Sequence, residues 1–391
     1  MTKFKECFLQ HIIVIGGGYA GLRAVEKLAN TKSFTITLID KNPYHYLQTD
    51  TYQFLSGRLN VCDITYDLES FCSAFSNVEF IRDTAIGIEK SKLVCQNDSY
   101  EFDKLIIATG AMDFIPSAFK PYSYAIKELN SAFEFKEKFL HKLFDEVANK
   151  KEATIVICGA GQSGVELAAD LASVANECGY TTSSKKCDIK VVLIEAQKTI
   201  LPHSKTYIVY EATKRLKKLG VSIFTSNPIE KIDENRIFLR NQELPYDLFI
   251  FTGGIKPSPF VESLDFEKNS HGYLKVNQHL QINDNIYAIG DCAYILNSKG
   301  EPLSPTAQIA EQSAEYVAKH ISKQTKKPFN GRVYGTFTAL GKNYAVGHIL
   351  HKIYFKGSLA YYLKKAITFM YRFGIKLKLN SGYKNRKEIS S

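Results

Sequence analysis

Residues 11–29 read HIIVIGGGYAGLRAVEKLA. His11–Ile15 is a short apolar, β-branched run and reads as a strand. Gly16-Gly17-Gly18-Tyr19-Ala20-Gly21 is a G-x-G-x-x-G turn, and Leu22, Val25, Leu28 and Ala29 then recur at helical spacing. FTITLID (34–40) follows as a second strand that closes on an acid, Asp40. Strand, glycine turn, helix, strand, acid is the order of a dinucleotide-binding unit. The glycines allow the tight bend and a close approach of backbone to pyrophosphate, and the helix N-terminus offers free N–H groups. Asp40 follows Gly21 at close to the ~20 residues expected of the acid that holds a ribose.

The pattern recurs later in the chain, with Gly159 in the place of Gly16. ATIVIC (153–158) is the strand, Gly159-Ala160-Gly161-Gln162-Ser163-Gly164 the turn, Val165 to Val174 the helix, and KVVLIE (190–195) the strand ending in Glu195. The step from Gly164 to Glu195 is longer than that from Gly21 to Asp40, so a longer helix or an insertion is expected over 176–188. Two such units predict an α/β chain with two Rossmann-like dinucleotide-binding domains. A linking helix is expected over 127–149. Strands are expected at 104–110 (KLIIATG), at 246–253 running into Gly253-Gly254, and at 285–291 meeting Gly290-Asp291. Ser304-Pro305-Thr306 predicts a helix start with Pro in the first turn, running to about Ile321. The domains divide as 1–115 with 255–345, 116–254, and a C-terminal segment 346–391.

With 391 residues, 45% hydrophobic and 23% charged, the composition is that of a globular protein of two or three domains. It excludes disordered and coiled-coil chains. No apolar run approaches the ~18 residues of a membrane span, and the N-terminus lacks the pattern of a signal peptide. None of the eight cysteines forms a C-x-x-C pair, so neither a metal site nor a thioredoxin-like centre is indicated. The net charge of +10 is concentrated at the end: residues 351–391 hold ten Lys/Arg and one acid, Glu388. That excludes a uniformly basic nucleic-acid binder and fits a localised anionic contact. Residues 357–379 interleave apolar and aromatic side chains with Lys364, Lys365, Arg372, Lys376 and Lys378, as an interfacial helix on an anionic membrane surface would. A homodimer partner is the other candidate for this segment. Gly374 is expected to break the helix, with strand-like alternation after it.

The order of these elements resembles the two-dinucleotide flavoproteins related to the disulfide reductases. The resemblance implies FAD on the first unit and NADH on the second. The segment after Asp40 has no cysteine pair, which argues against a dithiol mechanism. The last cysteine, Cys292, sits against the Gly-Asp turn, which disfavours a sulfide:quinone oxidoreductase. Asp40-Lys-Asn-Pro-Tyr-His45 with Tyr52-Gln53 and Gly57, Gly164-Val-Glu-Leu-Ala168, Gly290-Asp-Cys-Ala293 and Ala307-Gln-Ile-Ala-Glu-Gln312 resemble type II, non-proton-pumping NADH:quinone oxidoreductases. Asp50 departs from that pattern, standing where apolar residues are usual.

The resemblance implies hydride transfer from NADH to FAD and reduction of a membrane quinone, by a peripheral enzyme of the respiratory chain on the cytoplasmic face of the cell membrane. It places Gly16, Gly17, Gly18, Ala20, Gly21, Asp40, Lys41, Ala85, Thr109, Gly110, Asp291, Ala307 and Gln308 at FAD. It places Gly159, Gly161, Gln162, Ser163, Gly164, Glu195, Gly253 and Gly254 at NADH. Glu195 would repel a 2′-phosphate, favouring NADH over NADPH. Glu166 is the expected catalytic carboxylate beside nicotinamide and flavin. Gln308 and Gln312, four apart on one helix face, would hydrogen-bond the quinone. A chain cut near His348 is expected to lose vesicle binding but keep NADH oxidation with a soluble acceptor. The alternatives are a soluble flavin reductase serving a ferredoxin-like protein, a sulfide:quinone oxidoreductase-like enzyme, and a redox-sensing binding protein.

Overall fold

The computed structural model describes residues 9–182, 188–350 and 352–390, with the side chains of 179–182, 383–384 and 386–390 left undescribed. Cys7, Cys187 and part of the expected insertion therefore lie outside the described residues.

Strand β1 (Gln10–Ile15) lies between β2 (Phe34–Asp40) and β4 (Lys104–Ile107). β3 (Val78–Arg82) and β9 (Ile286–Ala288) complete a parallel sheet of order β9-β4-β1-β2-β3. The second sheet is built alike: β5 (Ala153–Cys158) lies between β6 (Ile189–Ile194) and β8 (Leu248–Phe251), with β7 (Ser222–Phe224) at the edge. Ile12, Ile13, Val14, Ile155, Val156 and Ile157 are all fully buried. That explains why these strands read as continuous apolar runs, since both faces of a parallel sheet are covered. In each sheet the glycine turn follows a strand with neighbours on both sides, the switch point at which such folds bind ligands.

Helix α1 (Tyr19–Ala29) follows the first turn and α3 (Gln162–Thr182) the second. α3 continues past the Val165–Val174 pattern and accounts for part of the longer step from Gly164 to Glu195. α2 (Leu129–Asn149) is the linking helix. α4 (Ala307–Ile321) starts later than expected: Thr306 is the N-cap, its hydroxyl accepting from the Ile309 N–H at 3.2 Å, and Pro305 precedes the cap. Strands β10 (Gly335–Ala339), β11 (Ala345–Ile349) and β12 (Ile353–Gly357) form an antiparallel sheet across the expected 345/346 boundary.

The tail corrects two expectations. α5 (Ser358–Ser390) runs unbroken through Gly374. Four of the five basic side chains of 358–382 also face the wrong way for a lipid contact. Lys364, Lys365, Arg372 and Lys378 turn toward the body, and Leu359, Tyr362, Ile367, Phe369, Met370, Phe373 and Leu377 are more than half exposed. Lys376 alone among the lysines and arginines of 358–382 is exposed.

Candidate functional site: two glycine cradles under a bridging helix

The two turns are near copies in geometry. Gly16 and Gly159 both take φ +104, which side chains rarely adopt. A Cβ at Gly21 would lie 1.8 Å from the Gly16 carbonyl oxygen, and one at Gly164 would lie 1.9 Å from that of Gly159. Only glycine lets the helix come so close to its own turn. Asp40 Oδ2 accepts the Gly17 N–H at 2.6 Å, and Glu195 Oε2 accepts the Ala160 N–H at 2.7 Å. Their other oxygens take the N–H groups of Asn42 and Gln197. Burial raises the Asp40 carboxyl above its ordinary range, against those backbone bonds. A Cβ at Gly18, Gly110 or Gly161 would meet no atom within 4 Å. Open backbone at a helix N-terminus fits the pyrophosphate of a dinucleotide.

Around the first turn, Gly290 takes φ +67, and a Cβ there would approach those of Ala20 and Ala310 at 3.1 and 3.5 Å. The Gly290 N–H donates to Ser313. This brings the start of α4, with Ala307 at its first position, beside that of α1. Asp291 lies 3.9 Å from Lys127, and burial raises its carboxyl. Thr109 meets Ser258 at 3.3 Å, Ala85 is half-buried, and Lys41 is exposed. Around the second turn, Thr252 donates to the Gly159 carbonyl at 2.8 Å, and Gly253 packs beneath Gly159. Gly254 accepts from Phe114, Gln162 donates to the Phe337 carbonyl, and Ser163 is exposed.

Helix α5 spans both units. Lys364 forms an ion pair with Glu166 of α3, whose Oε1 also accepts the Ala339 N–H at 2.9 Å. The same ammonium lies 4.8 Å from the Tyr52 ring centre. Lys365 donates to Gln53 at 2.7 Å, and Arg372 bonds Asp50. Sequence reasoning misses these contacts, although 364, 365, 371 and 372 share a helix face. The Asp50 departure is the available signal.

Gln308 and Gln312 do not present free amides. Gln308 bonds the Gly335 carbonyl at 2.8 Å and the Tyr334 N–H at 3.1 Å, and Gln312 bonds the Arg332 carbonyl and N–H at 2.8 and 3.0 Å. Both hold the segment leading into β10. Among the described cysteines, all are free. Burial pushes the Cys292 thiol up to about 11 and the Cys158 thiol up to about 12, so neither is a thiolate at neutral pH.

Residues 10–314 match the model of the pyridine nucleotide-disulphide oxidoreductase family. The chain is 31% identical to the type II NADH:quinone oxidoreductase of Staphylococcus aureus (strain MSSA476) over 378 residues, covering 91% of this chain and 93% of that one. The structure of NDH2 from Plasmodium falciparum in complex with NADH superposes with a TM-score of 0.83 at 19% identity, covering 95% and 97% of the two chains. The sulfide:quinone oxidoreductase of Aquifex aeolicus gives 0.79 at 20% identity, covering 94% and 92%, a likeness of fold. The chain belongs to the type II NADH:quinone oxidoreductases of the pyridine nucleotide-disulphide oxidoreductase family.

Proposed function

We propose that this chain binds FAD in the first cradle and NADH in the second, and reduces a membrane quinone without moving protons across the bilayer. The observation that carries this reading is α5, which bridges the two units through inward Lys364, Lys365, Tyr371 and Arg372 and turns an apolar face outward. FAD, when bound, supplies the redox chemistry between a hydride donor and a quinone. The protein's part is to bind, orient and neutralise. Asp40 and Glu195 hold the two turns and keep acceptor oxygens for ribose hydroxyls. The Glu195 carboxylate disfavours a 2′-phosphate, so NADH is preferred over NADPH. Glu166, beside the second turn and paired with Lys364, is the candidate catalytic carboxylate. Gln308 and Gln312 shape the acceptor side by fixing 332–335.

The exposed apolar residues from Leu359 to Leu377 extend over roughly 27 Å of helix. So long an apolar stripe marks an interaction surface, and a quinone enzyme must reach the bilayer. The chain is placed peripherally, at the cytoplasmic face of the cell membrane. Among the described residues no helix is long and apolar enough to cross it. The inward cations correct the expected anionic contact of 357–379: the apolar face carries the grip.

The test is the full chain on zwitterionic vesicles containing a long-tailed quinone and a trapped pH dye. NADH oxidation with vesicle binding and no dye response is expected. Phe369→Ser with Phe373→Ser should abolish binding and long-tailed quinone reduction, sparing a soluble acceptor. Wild-type chain that never binds vesicles, or that dimerises through this face instead, would overturn the membrane reading.

A further inference from the structure

The two turns differ in how one carbonyl is held. In the second turn the Ala160 carbonyl accepts a backbone N–H, that of Leu201, at 2.8 Å. In the first turn the equivalent Gly17 carbonyl accepts from a side chain, His45 Nδ1, at 2.9 Å. The far nitrogen of that imidazole, Nε2, lies 3.1 Å from the Tyr371 hydroxyl on α5. A carbonyl only accepts, so Nδ1 carries the proton and Nε2 accepts from Tyr371. Tyr19, first residue of α1, packs against both, its ring 5.1 Å from that of His45 and 4.9 Å from that of Tyr371. His45 is 1% exposed.

The bond fixes more than a carbonyl. In a trans peptide the C=O and the following N–H point in opposite directions. Holding the Gly17 carbonyl against His45 therefore aims the Gly18 N–H the other way. That N–H has no partner among the described residues, and beside Gly18 the structure is open. It is the donor a pyrophosphate would use.

We propose that Tyr371 and His45 are positioning residues for FAD, a relay by which the tail helix sets the orientation of the Gly17–Gly18 peptide. The tail is then part of the flavin site as well as a surface for lipid. FAD affinity and tail docking are coupled, each strengthening the other. In the second turn the equivalent carbonyl is held by the Leu201 N–H, so nucleotide affinity there does not depend on His45 or Tyr371. This rests on the assignment of FAD to the first turn.

The experiment measures FAD dissociation constants on full-length protein stripped of flavin, with NAD⁺ affinity as the internal control. Tyr371→Phe keeps the ring and removes only the hydroxyl. It should weaken FAD about fivefold, the effect of one hydrogen bond, and leave NAD⁺ unchanged. His45→Leu, which leaves the Gly17 carbonyl unpaired, should weaken FAD more. His45→Asn can still donate to Gly17 but cannot reach Tyr371, so it should keep much of the affinity and make Tyr371→Phe silent. That loss of effect is what simple packing would not produce. FAD affinity within twofold of wild type in both Tyr371→Phe and His45→Leu would overturn the relay, as would a Tyr371→Phe effect of equal size in the His45→Asn background. Wild-type protein that refuses FAD altogether would instead overturn the cofactor assignment.

Discussion

Arg372 reaches back across 322 residues of chain to Asp50, with Nη2 and Nε 2.6 and 3.2 Å from the same carboxylate oxygen. Asp50 is 1% exposed, and the Arg372 guanidinium is the cation that pairs with it. The buried acid and the arginine on the tail explain each other.

Arg372→Leu should therefore destabilise the chain by about 3–5 kcal/mol, since it leaves a buried carboxylate unpaired. Asp50→Leu combined with Arg372→Leu should recover most of that loss. Thermal and denaturant unfolding of the two variants check it; equal stability of the single and double variants would contradict the pairing.

Removal of α5, by ending the chain at Gly357, should cost more than membrane binding. The sequence alone predicts that a truncated chain keeps NADH oxidation with a soluble acceptor. The inward cations reverse that expectation, because Asp50, Glu166 and His45 would lose Arg372, Lys364 and Tyr371 together. The truncated protein should purify with little flavin and low activity toward any acceptor. Full flavin content would refute this.

Gln308→Ala and Gln312→Ala should each lower stability by about 1 kcal/mol, since each removes two hydrogen bonds to partly solvated backbone. Quinone reduction should slow through displacement of 332–335, and flavin reduction by NADH should be nearly unchanged. Separate measurement of the two half-reactions distinguishes this from a direct contact with the nicotinamide side.

Burial lowers the His45 imidazole to about 4, against the Gly17 bond that favours its charged form. Tyr19 and Tyr371, which face it from α1 and α5, are raised by burial and stay neutral. The unfolded chain takes up the proton near pH ~6.5. His45 therefore contributes no pH penalty above ~6.5, and stability falls as pH drops from there toward 4, by up to about 3 kcal/mol. His45→Asn should flatten that slope in unfolding measured across this range.

Much of the architecture was legible in sequence because it is local. Both glycine turns, their acids and the linking helix follow from spacing and periodicity within short stretches of chain. What was not legible depends on contacts between distant parts of the chain. The helical face of α5 is plain from the spacing of its residues, but which side meets the body is not. Lys364, Lys365 and Arg372 read as lipid-facing in sequence, and the fold brings Glu166, Gln53 and Asp50 beneath them. Gly374 reads as a break, yet the helix continues past it, and further on a Cβ at Gly382 would lie 1.8 Å from the Ser70 carbonyl oxygen. Tertiary packing holds the helix where propensity alone would end it. The amides of Gln308 and Gln312 match a motif, but a motif does not say which backbone will occupy them.

Anaerobic mixing of the full-length protein with NADH, followed by a quinone, with flavin absorbance watched throughout, tests the central claim most directly. The account predicts rapid bleaching by NADH and complete recovery of the oxidised spectrum on adding quinone. Protein that carries FAD and is bleached by NADH, yet is not reoxidised by any quinone offered, would contradict it.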